Sequence, residues 1–127
     1  MTKQTMEIWG RSLDIEILYD CYADEEVLDT QRAAYSKFME QAEHLLPAAL
    51  PAVKEYCLKN NRAEIGEDEI LNIFKYVKPK TLFIKRTRDG ARKVALLCAY
   101  KFNPDDGLAV VFYNEELSAV GTENIIL

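Results

Sequence analysis

Two stretches near the start of the chain alternate apolar and polar residues with a period of two. The segment MEIWGR is followed by LDIEILYDCY, in which every second residue from Leu13 to Tyr19 is apolar. This alternation is typical of β-strands with one buried face. Because Gly10-Arg11-Ser12 lies between the two runs, we predict a tight β-hairpin there. Trp9 is expected to contribute a large buried surface near the turn.

In the middle of the chain the apolar residues recur with the spacing of a helix. A first helix is predicted from Asp29–Thr30 to about Leu46. It should end there because Pro47 has no backbone N–H and clashes with the preceding turn. A second helix is predicted to begin with that proline in its first turn and to end at Asn60-Asn61. A short third helix, opened by Asp68-Glu69, should stop before Pro79.

After Pro79 the period returns to two, in the segments TLFIKR, RKVALLCAYKF and LAVVFYN. Asp89-Gly90 and the segment NPDDG supply the turns between them, and the next hairpin turn falls at Asn114–Leu117. These elements predict an α+β fold with one domain over residues 1–127. We expect a mostly antiparallel sheet of about five strands in the order β-β-α-α-α-β-β-β, with the inserted helical layer on one face.

Composition places the chain among soluble intracellular proteins. Hydrophobic residues make up 49% and charged residues 29%, an ordinary globular balance. No apolar stretch approaches the length that spans a bilayer, and the N-terminus lacks the apolar region of a secretion signal. Cys21, Cys57 and Cys98 are odd in number and lie in apolar segments, which indicates reduced thiols. We therefore expect a cytoplasmic protein that does not contact membranes.

The net charge of −5 hides a strong asymmetry along the chain. Residues 1–74 hold seven cations and 15 anions, residues 75–101 hold nine cations and one anion, and residues 102–127 hold five anions and no cation. Such segregation fits a charged surface that binds a partner. It also fits neighbouring strands that neutralise one another across a sheet, and we favour this second interpretation.

Two sets of charged residues are candidates for contact with a partner. The acidic candidates, which could attract a basic protein, are Asp24, Glu25, Glu26, Glu115 and Glu116. The basic candidates surround one hairpin tip and could contact a polyanion or an acidic partner; they are Lys85, Arg86, Arg88, Arg92 and Lys93. The overall acidity and the absence of interleaved aromatic residues favour a protein partner over nucleic acid, and a solvated hairpin tip without a partner is favoured over both.

No motif in the sequence indicates catalysis, a metal or a cofactor. His44 is the only histidine, and the three cysteines are too scattered for a zinc site. No glycine-rich loop precedes a helix, so a phosphate-binding loop is absent. The acidic pairs Asp105-Asp106 and Glu115-Glu116 are predicted at opposite ends of one strand, too far apart for a shared site. We therefore expect no cofactor and no catalytic residues.

The C-terminal stretch GLAVVFYNEELSAVGTENIIL resembles the ending of a family of small bacterial domains of unknown function. The shared features are Gly107, Phe112, Val120-Gly121 and Ile125–Leu127, and the opening WGRSLDIEILYD is also similar. Such domains look like relatives of immunity proteins encoded near bacterial toxins. The resemblance implies partner binding rather than catalysis, and it assigns no functional residues.

Three hypotheses follow. The leading one is a non-catalytic bacterial interaction module of the immunity type that binds a partner protein through charged surface. The second is an enzyme or small-ligand binder with a site between helices and sheet, for example with Tyr100 or Tyr113 near His44. The third is a basic β-ribbon that binds nucleic acid. A homodimer through an open sheet edge fits all three.

Overall fold

The N-terminal hairpin is the first element of the structure, a computed structural model that describes residues 2–127. Strands β1 (Thr2–Ile8) and β2 (Arg11–Tyr19) pair antiparallel, so the predicted hairpin is confirmed. Its turn is Trp9-Gly10 rather than Gly10-Arg11-Ser12. Trp9 and Gly10 have φ angles of 52° and 87°, and a two-residue hairpin turn that matches strand twist requires such positive values.

One long helix, α1 (Asp29–Ile65), replaces the two helices predicted around Pro47. The prediction of a break at Pro47 is wrong, since the helix continues through both Pro47 and Pro51. The two prolines are four residues apart, so they share one face, and both are exposed. The carbonyl groups that lose a hydrogen bond to a proline therefore lie on the solvent side of the helix. Long helices curve with this side convex, and the hydrogen bonds there are already lengthened. Non-helical backbone occurs only at Asn61, with φ −137°.

The predicted third helix is also wrong. Residues 66–76 form a loop that contains only a short 3₁₀ turn, Ile73–Lys75. Ile70 and Ile73 are buried, but Leu71 is 81% exposed, so the apolar residues do not form the helical stripe that the spacing indicated. The loop is held instead by the side chain of Asn72, which accepts a hydrogen bond from the backbone N–H of Phe74.

Four further strands follow the loop and bring the sheet to six strands rather than about five. They are β3 (Val77–Ile84), β4 (Lys93–Tyr100), β5 (Leu108–Tyr113) and β6 (Glu116–Gly121). Strand β3 begins before Pro79 instead of after it. The pairing register between β3 and β4 shifts between Pro79 and Thr81. Because the regular hydrogen-bond pattern is interrupted there, a proline without a backbone N–H is accommodated.

The six strands lie side by side in chain order, from β1 to β6. All neighbouring strands are antiparallel except β2 and β3, which are parallel. The parallel pair results from α1, which leaves the end of β2 and returns the chain to the start of β3. The expected α+β class with a mostly antiparallel sheet and helical structure on one face is confirmed.

The sheet is covered on both faces. The larger core lies between the sheet and α1, where Phe38 of the helix contacts Phe112 of β5 with ring centroids 5.0 Å apart. A smaller cluster on the opposite face packs Phe83, Ala95 and Val111 against Ile126. Strand β4 therefore has apolar residues on both faces, as predicted. Within residues 2–127, no helix has the length and apolar character needed to cross a membrane.

Two glycines of the C-terminal stretch have packing roles. Gly107 precedes β5 with φ +61°, and a Cβ atom built there would lie 2.9 Å from the carbonyl oxygen of Cys98. A Cβ at Gly121 would lie 3.1 Å from the side chain of Ile125. These positions that carry the family resemblance therefore allow the chain end to pack closely on the sheet, a structural role rather than a chemical one.

Candidate functional site

The charged candidates from the sequence lie at one end of the sheet. Pairing places the ends of β2 and β3 together, at Tyr19 and Ile84, and brings the start of β4 and the β5–β6 turn beside them. We call this region the charged end; it holds all ten candidates, which are Asp24, Glu25, Glu26, Lys85, Arg86, Arg88, Arg92, Lys93, Glu115 and Glu116. The acidic and basic sets are thus neighbours rather than two separate surfaces.

Several members of the two sets pair with each other. Arg92 donates two hydrogen bonds to the carboxylate of Glu115, at 2.9 Å and 3.0 Å. This contact raises the pKa of the Arg92 guanidinium above its ordinary value. The side chain of Arg86 lies 3.5 Å from the carboxylate of Glu25. These pairs neutralise charge within the molecule, so less unpaired charge is left at the charged end to attract a partner.

The same pairing explains the charge asymmetry along the chain. The ion pairs within residues 2–127 all join the cationic segment 75–101 to one of its acidic flanks. Of the other two pairs, the candidate Lys85 lies 3.4 Å from Asp20, and Lys75 and Glu67, which are both outside the candidate sets, are 3.9 Å apart. The cationic segment is therefore flanked by acidic loops and turns, which supports the interpretation that oppositely charged neighbouring segments neutralise one another.

Arg86 also holds the loop after β2 in place. Its guanidinium donates to the backbone carbonyl of Glu26 at 2.9 Å and lies 3.3 Å from the sulfur of Cys21. Its backbone N–H donates to the carboxylate of Asp20 at 3.1 Å. Five of the candidates take part in no ion pair within residues 2–127, so they stay available to a partner; they are Asp24, Glu26, Arg88, Lys93 and Glu116.

The charged end is anchored by Gln31, which sequence reasoning missed. This side chain is only 1% exposed. Its amide donates to the carbonyls of Asp20, at 3.2 Å, and Ile84, at 3.1 Å, while its oxygen accepts from the N–H of Leu28 at 3.0 Å. One residue therefore joins the ends of both parallel strands to the start of α1. Its hydrogen-bonding capacity is used within the fold.

The thiols and the histidine do not form a reactive group. Cys57 and Cys98 are buried in the core, and burial raises the pKa of both thiols. His44 is exposed on α1. Tyr100, which we considered as a partner of His44, is buried and donates its hydroxyl to Asn61 at 2.7 Å. No group of three potential metal ligands occurs in the part of the chain that the structure describes.

A groove of about 650 Å³ lies between β1 and α1, away from the charged end. We call it the β1–α1 groove; its lining residues are Thr5, Met6, Glu7, Trp9, Gly10, Met39, Ala42, Glu43, Pro47 and Leu50. Its walls combine apolar side chains with two exposed carboxylates, those of Glu7 and Glu43. Neither carboxylate has an ion-pair partner among residues 2–127.

One wall of the groove is an open sheet edge. Within residues 2–127, strand β1 pairs only with β2, so its other side has no strand of the described chain beside it. The two-residue turn makes Ile8 and Arg11 a hydrogen-bonded closing pair, and this pattern alternates along the strand. The backbone N–H and C=O groups of Thr5 and Glu7 therefore point away from β2. They border the groove and lack a strand partner.

The opposite wall is the part of α1 that contains the prolines. Because Pro47 and Pro51 have no N–H, the carbonyls of Glu43 and Pro47 cannot receive the usual bond from four residues further on. Both residues with incomplete carbonyl bonding line the groove. The groove thus combines apolar surface with hydrogen-bond acceptors on one wall and a strand edge on the other.

Trp9 lies at the end of the groove in a strained conformation. A φ angle of 52° is uncommon for a bulky residue, and backbone strain of this kind is frequently found at functional sites. The indole N–H donates to the carbonyl of Leu46 at 3.0 Å, and the ring lies 6.2 Å from that of Phe74. The sequence analysis considered a site between helices and sheet but proposed none of the groove's lining residues as site residues. A tryptophan at a turn and two helix prolines four residues apart were the visible signals.

Fold and groove together define an α+β protein in which the long helix α1 lies beside an open sheet edge. A family model described as "Domain of unknown function (DUF6985)" matches residues 1–127, so the chain belongs to that family. The expectation of a family of unknown function is thereby confirmed. No curated protein and no solved structure matches the chain.

Proposed function

We propose that this protein is a non-catalytic interaction module that binds a partner protein in the β1–α1 groove. The observation that carries the proposal is a groove whose apolar walls stand beside carboxylates and backbone groups with incomplete bonding. Buried polar side chains elsewhere within residues 2–127 are all hydrogen-bonded. A surface with apolar anchors and open polar groups gains both hydrophobic burial and hydrogen bonds when a partner covers it.

The composition of the groove favours an adaptable protein contact over a tight small-molecule site. Met6 and Met39 contribute flexible side chains, which are common on surfaces that accept partners of varied shape. Trp9 supplies the kind of aromatic residue that is enriched at the energetic centre of interfaces. The groove also continues along a strand edge instead of closing around a compact ligand.

Electrostatic steering by the charged end is a second, separable part of the proposal. Asp24, Glu26 and Glu116 are exposed and form no ion pair within the described chain, so they would act mainly on the association rate. Reversing their charge should slow association at low salt while leaving Arg86–Glu25 and Arg92–Glu115 intact. An unchanged association rate at low ionic strength would remove the steering role without affecting groove binding.

An immunity-type role is the specific form of this function that the sequence resemblance implies. In that form the partner is a toxin protein and binding blocks its activity. Co-expression with a toxin encoded beside this protein's gene tests it. Protection of the cells should depend on the groove residue Met39, and protection that survives Met39→Glu would separate any immunity role from this groove.

Site-specific photo-crosslinking tests the general proposal. A photoreactive phenylalanine analogue at Met39 should capture one predominant protein in the cells that naturally contain this chain. The same analogue at Glu64, exposed on α1 and outside the groove, should not capture it. The captured protein is then purified, and Met39→Glu should weaken its binding at least tenfold, an effect typical of a central interface residue. Equal capture at both positions, or no binding between the purified proteins, would overturn the proposal.

A further inference from the structure

We propose that the partner contributes an extended segment that adds to β1 as a seventh strand, and that this segment alternates apolar residues with Lys or Arg. This inference rests on the proposed function and specifies how the groove is used. It follows from three independent features: the backbone of β1, the two chemically different sides of that strand and the charges on both walls.

The backbone of β1 requires a partner with a repeating pattern of donors and acceptors. The outward N–H and C=O groups of Thr5 and Glu7 are two residues apart, about 7 Å along a strand. Another extended chain has the same repeat and pairs with both residues at once. Strand addition to an open edge is a common mode of peptide recognition, in which main-chain bonds supply much of the affinity.

The two sides of β1 differ, so an added strand must alternate. On the side that faces α1, Met6 and Ile8 are buried, and Met39 and Leu50 complete an apolar wall. Side chains of the added strand that point to this side are therefore apolar. Those on the other side lie beside Thr5 and Glu7, which are exposed.

The charges of the groove select cations on the added segment. Glu7 on β1 and Glu43 on α1 have no ion-pair partner within residues 2–127. The carbonyls of Glu43 and Pro47 accept hydrogen bonds but cannot donate them. Glu7 lies on the side of β1 away from α1, where the added strand carries its polar side chains, so lysine or arginine there meets the Glu7 carboxylate directly. The Glu43 carboxylate adds attraction from the helix wall, whereas an acidic segment would meet like charge.

Synthetic peptides test this inference directly. The probe is a ten-residue peptide that alternates Lys with Leu or Val, compared with a scrambled peptide of the same composition and with a peptide in which Glu replaces Lys. We expect the alternating basic peptide to bind about tenfold more tightly than either control. Hydrogen exchange should show new protection at the amides of Thr5 and Glu7. Equal binding of the three peptides, or protection elsewhere, would overturn the inference.

Proline substitution tests the predicted direction of the backbone groups. A proline is tolerated in an edge strand where the N–H faces outward, so Thr5→Pro should remain folded and lose peptide binding. Gln4→Pro removes an N–H that faces β2 and should destabilise the protein. If Thr5→Pro fails to fold, the paired substitutions Glu7→Gln and Glu43→Gln keep the test open. They should weaken binding about tenfold, while Glu40→Gln, outside the groove on α1, should not.

A second copy of the chain is the competing occupant. Antiparallel pairing of β1 with itself about Thr5 would place Lys3 opposite Glu7 of the other copy. Doubling of the mass in solution, with β1 protected in the absence of peptide, would therefore contradict the inference. If the photo-crosslinked partner depends on Met39 but the peptides do not bind, strand addition fails and the proposed function stands. If no partner is captured at Met39, the proposed function fails as well.

Discussion

The indole N–H of Trp9 donates to the backbone carbonyl of Leu46 at 3.0 Å. This bond joins the turn between β1 and β2 to the middle of α1, one residue before Pro47. It also closes the end of the β1–α1 groove, since Trp9 and Pro47 both line that groove. The contact therefore links a strained turn, the helix and the proposed binding surface.

Trp9→Phe should remove the hydrogen bond while keeping an aromatic ring at the turn. We expect a loss of about 1 kcal/mol in the free energy of unfolding, the usual contribution of one such bond. Urea denaturation measures it. Tyr22→Phe provides the control, because Tyr22 is 79% exposed and should change stability by less than about 0.5 kcal/mol. Equal stability of Trp9→Phe and the original protein would show that the bond contributes nothing.

Pro47→Ala should stabilise the protein by about 1 to 3 kcal/mol, because it restores an N–H that can bond to the Glu43 carbonyl. Pro47→Ala should also weaken binding of the proposed partner, because the Glu43 carbonyl would no longer be free to accept a hydrogen bond from that partner. Pro104→Ala is the comparison: Pro104 lies in the turn before β5, where a proline restricts the unfolded chain, so this change should be neutral or slightly destabilising. Destabilisation by Pro47→Ala would mean that the helix is adapted to the proline.

Elements with strong local patterns were predictable, and elements set by tertiary context were not. Alternation from Leu13 to Tyr19 predicted β2 correctly because one face of that strand is buried and the other is not. The break expected at Pro47 was wrong because its cost depends on which side of the helix the proline lies, and Pro47 is exposed. Pro79 was expected to precede its strand, yet a register shift admits it to β3.

The candidate site shows the same division. Residue types and spacing located the charged hairpin tips, and the structure brings these tips together at one end of the sheet. That Arg92 pairs with Glu115 depends on strand order, which the sequence did not reveal. The groove depends on α1 lying beside β1, a contact between residues such as Trp9 and Leu46 that are 37 positions apart. No local pattern reports such a contact.

Gln31→Leu should destabilise the protein by about 2 to 3 kcal/mol, because it removes a buried hydrogen bond to Ile84 and two part-buried ones to Asp20 and Leu28. Urea denaturation should show a lower midpoint with an unchanged slope. Gln41→Leu is a matched control on the same helix, where the side chain is exposed and the effect should stay below about 0.5 kcal/mol. Similar effects at both positions would contradict the anchoring role of Gln31.

Arg92 and Glu115 should show a larger coupling in a double-mutant cycle than Lys85 and Asp20. The first pair has two short hydrogen bonds and a carboxylate side chain that is 11% exposed, whereas the second has one contact of 3.4 Å and a carboxylate that is 34% exposed. Alanine substitutions, singly and together, provide both cycles by urea denaturation. Equal coupling would indicate that geometry and burial do not distinguish these ion pairs.

Stability should fall as the pH rises above about 9, and Cys98 should be one cause. Burial raises the pKa of the Cys98 thiol above its ordinary value of 9.0, with smaller effects from Cys57 and Glu123, and burial likewise raises the pKa of Tyr100 above 10.0. Below the ordinary pKa values both the folded and the unfolded chains keep these protons, so these groups cause no loss of stability. Above them the unfolded chain loses its protons first, which favours unfolding by up to about 1.4 kcal/mol per pH unit for each buried thiol.

Urea denaturation at pH 8, 9, 10 and 11 under reducing conditions measures this dependence. Cys98→Ala should flatten the decline between pH 9 and 11, because the variant has no thiol to titrate at that position. Leu96→Ala is the matched control, since it shortens another buried side chain of β4 that does not ionise. It should lower stability by a similar amount at every pH and leave the slope unchanged. If Cys98→Ala retained the full alkaline slope, titration of the buried thiol would not contribute to the alkaline loss of stability.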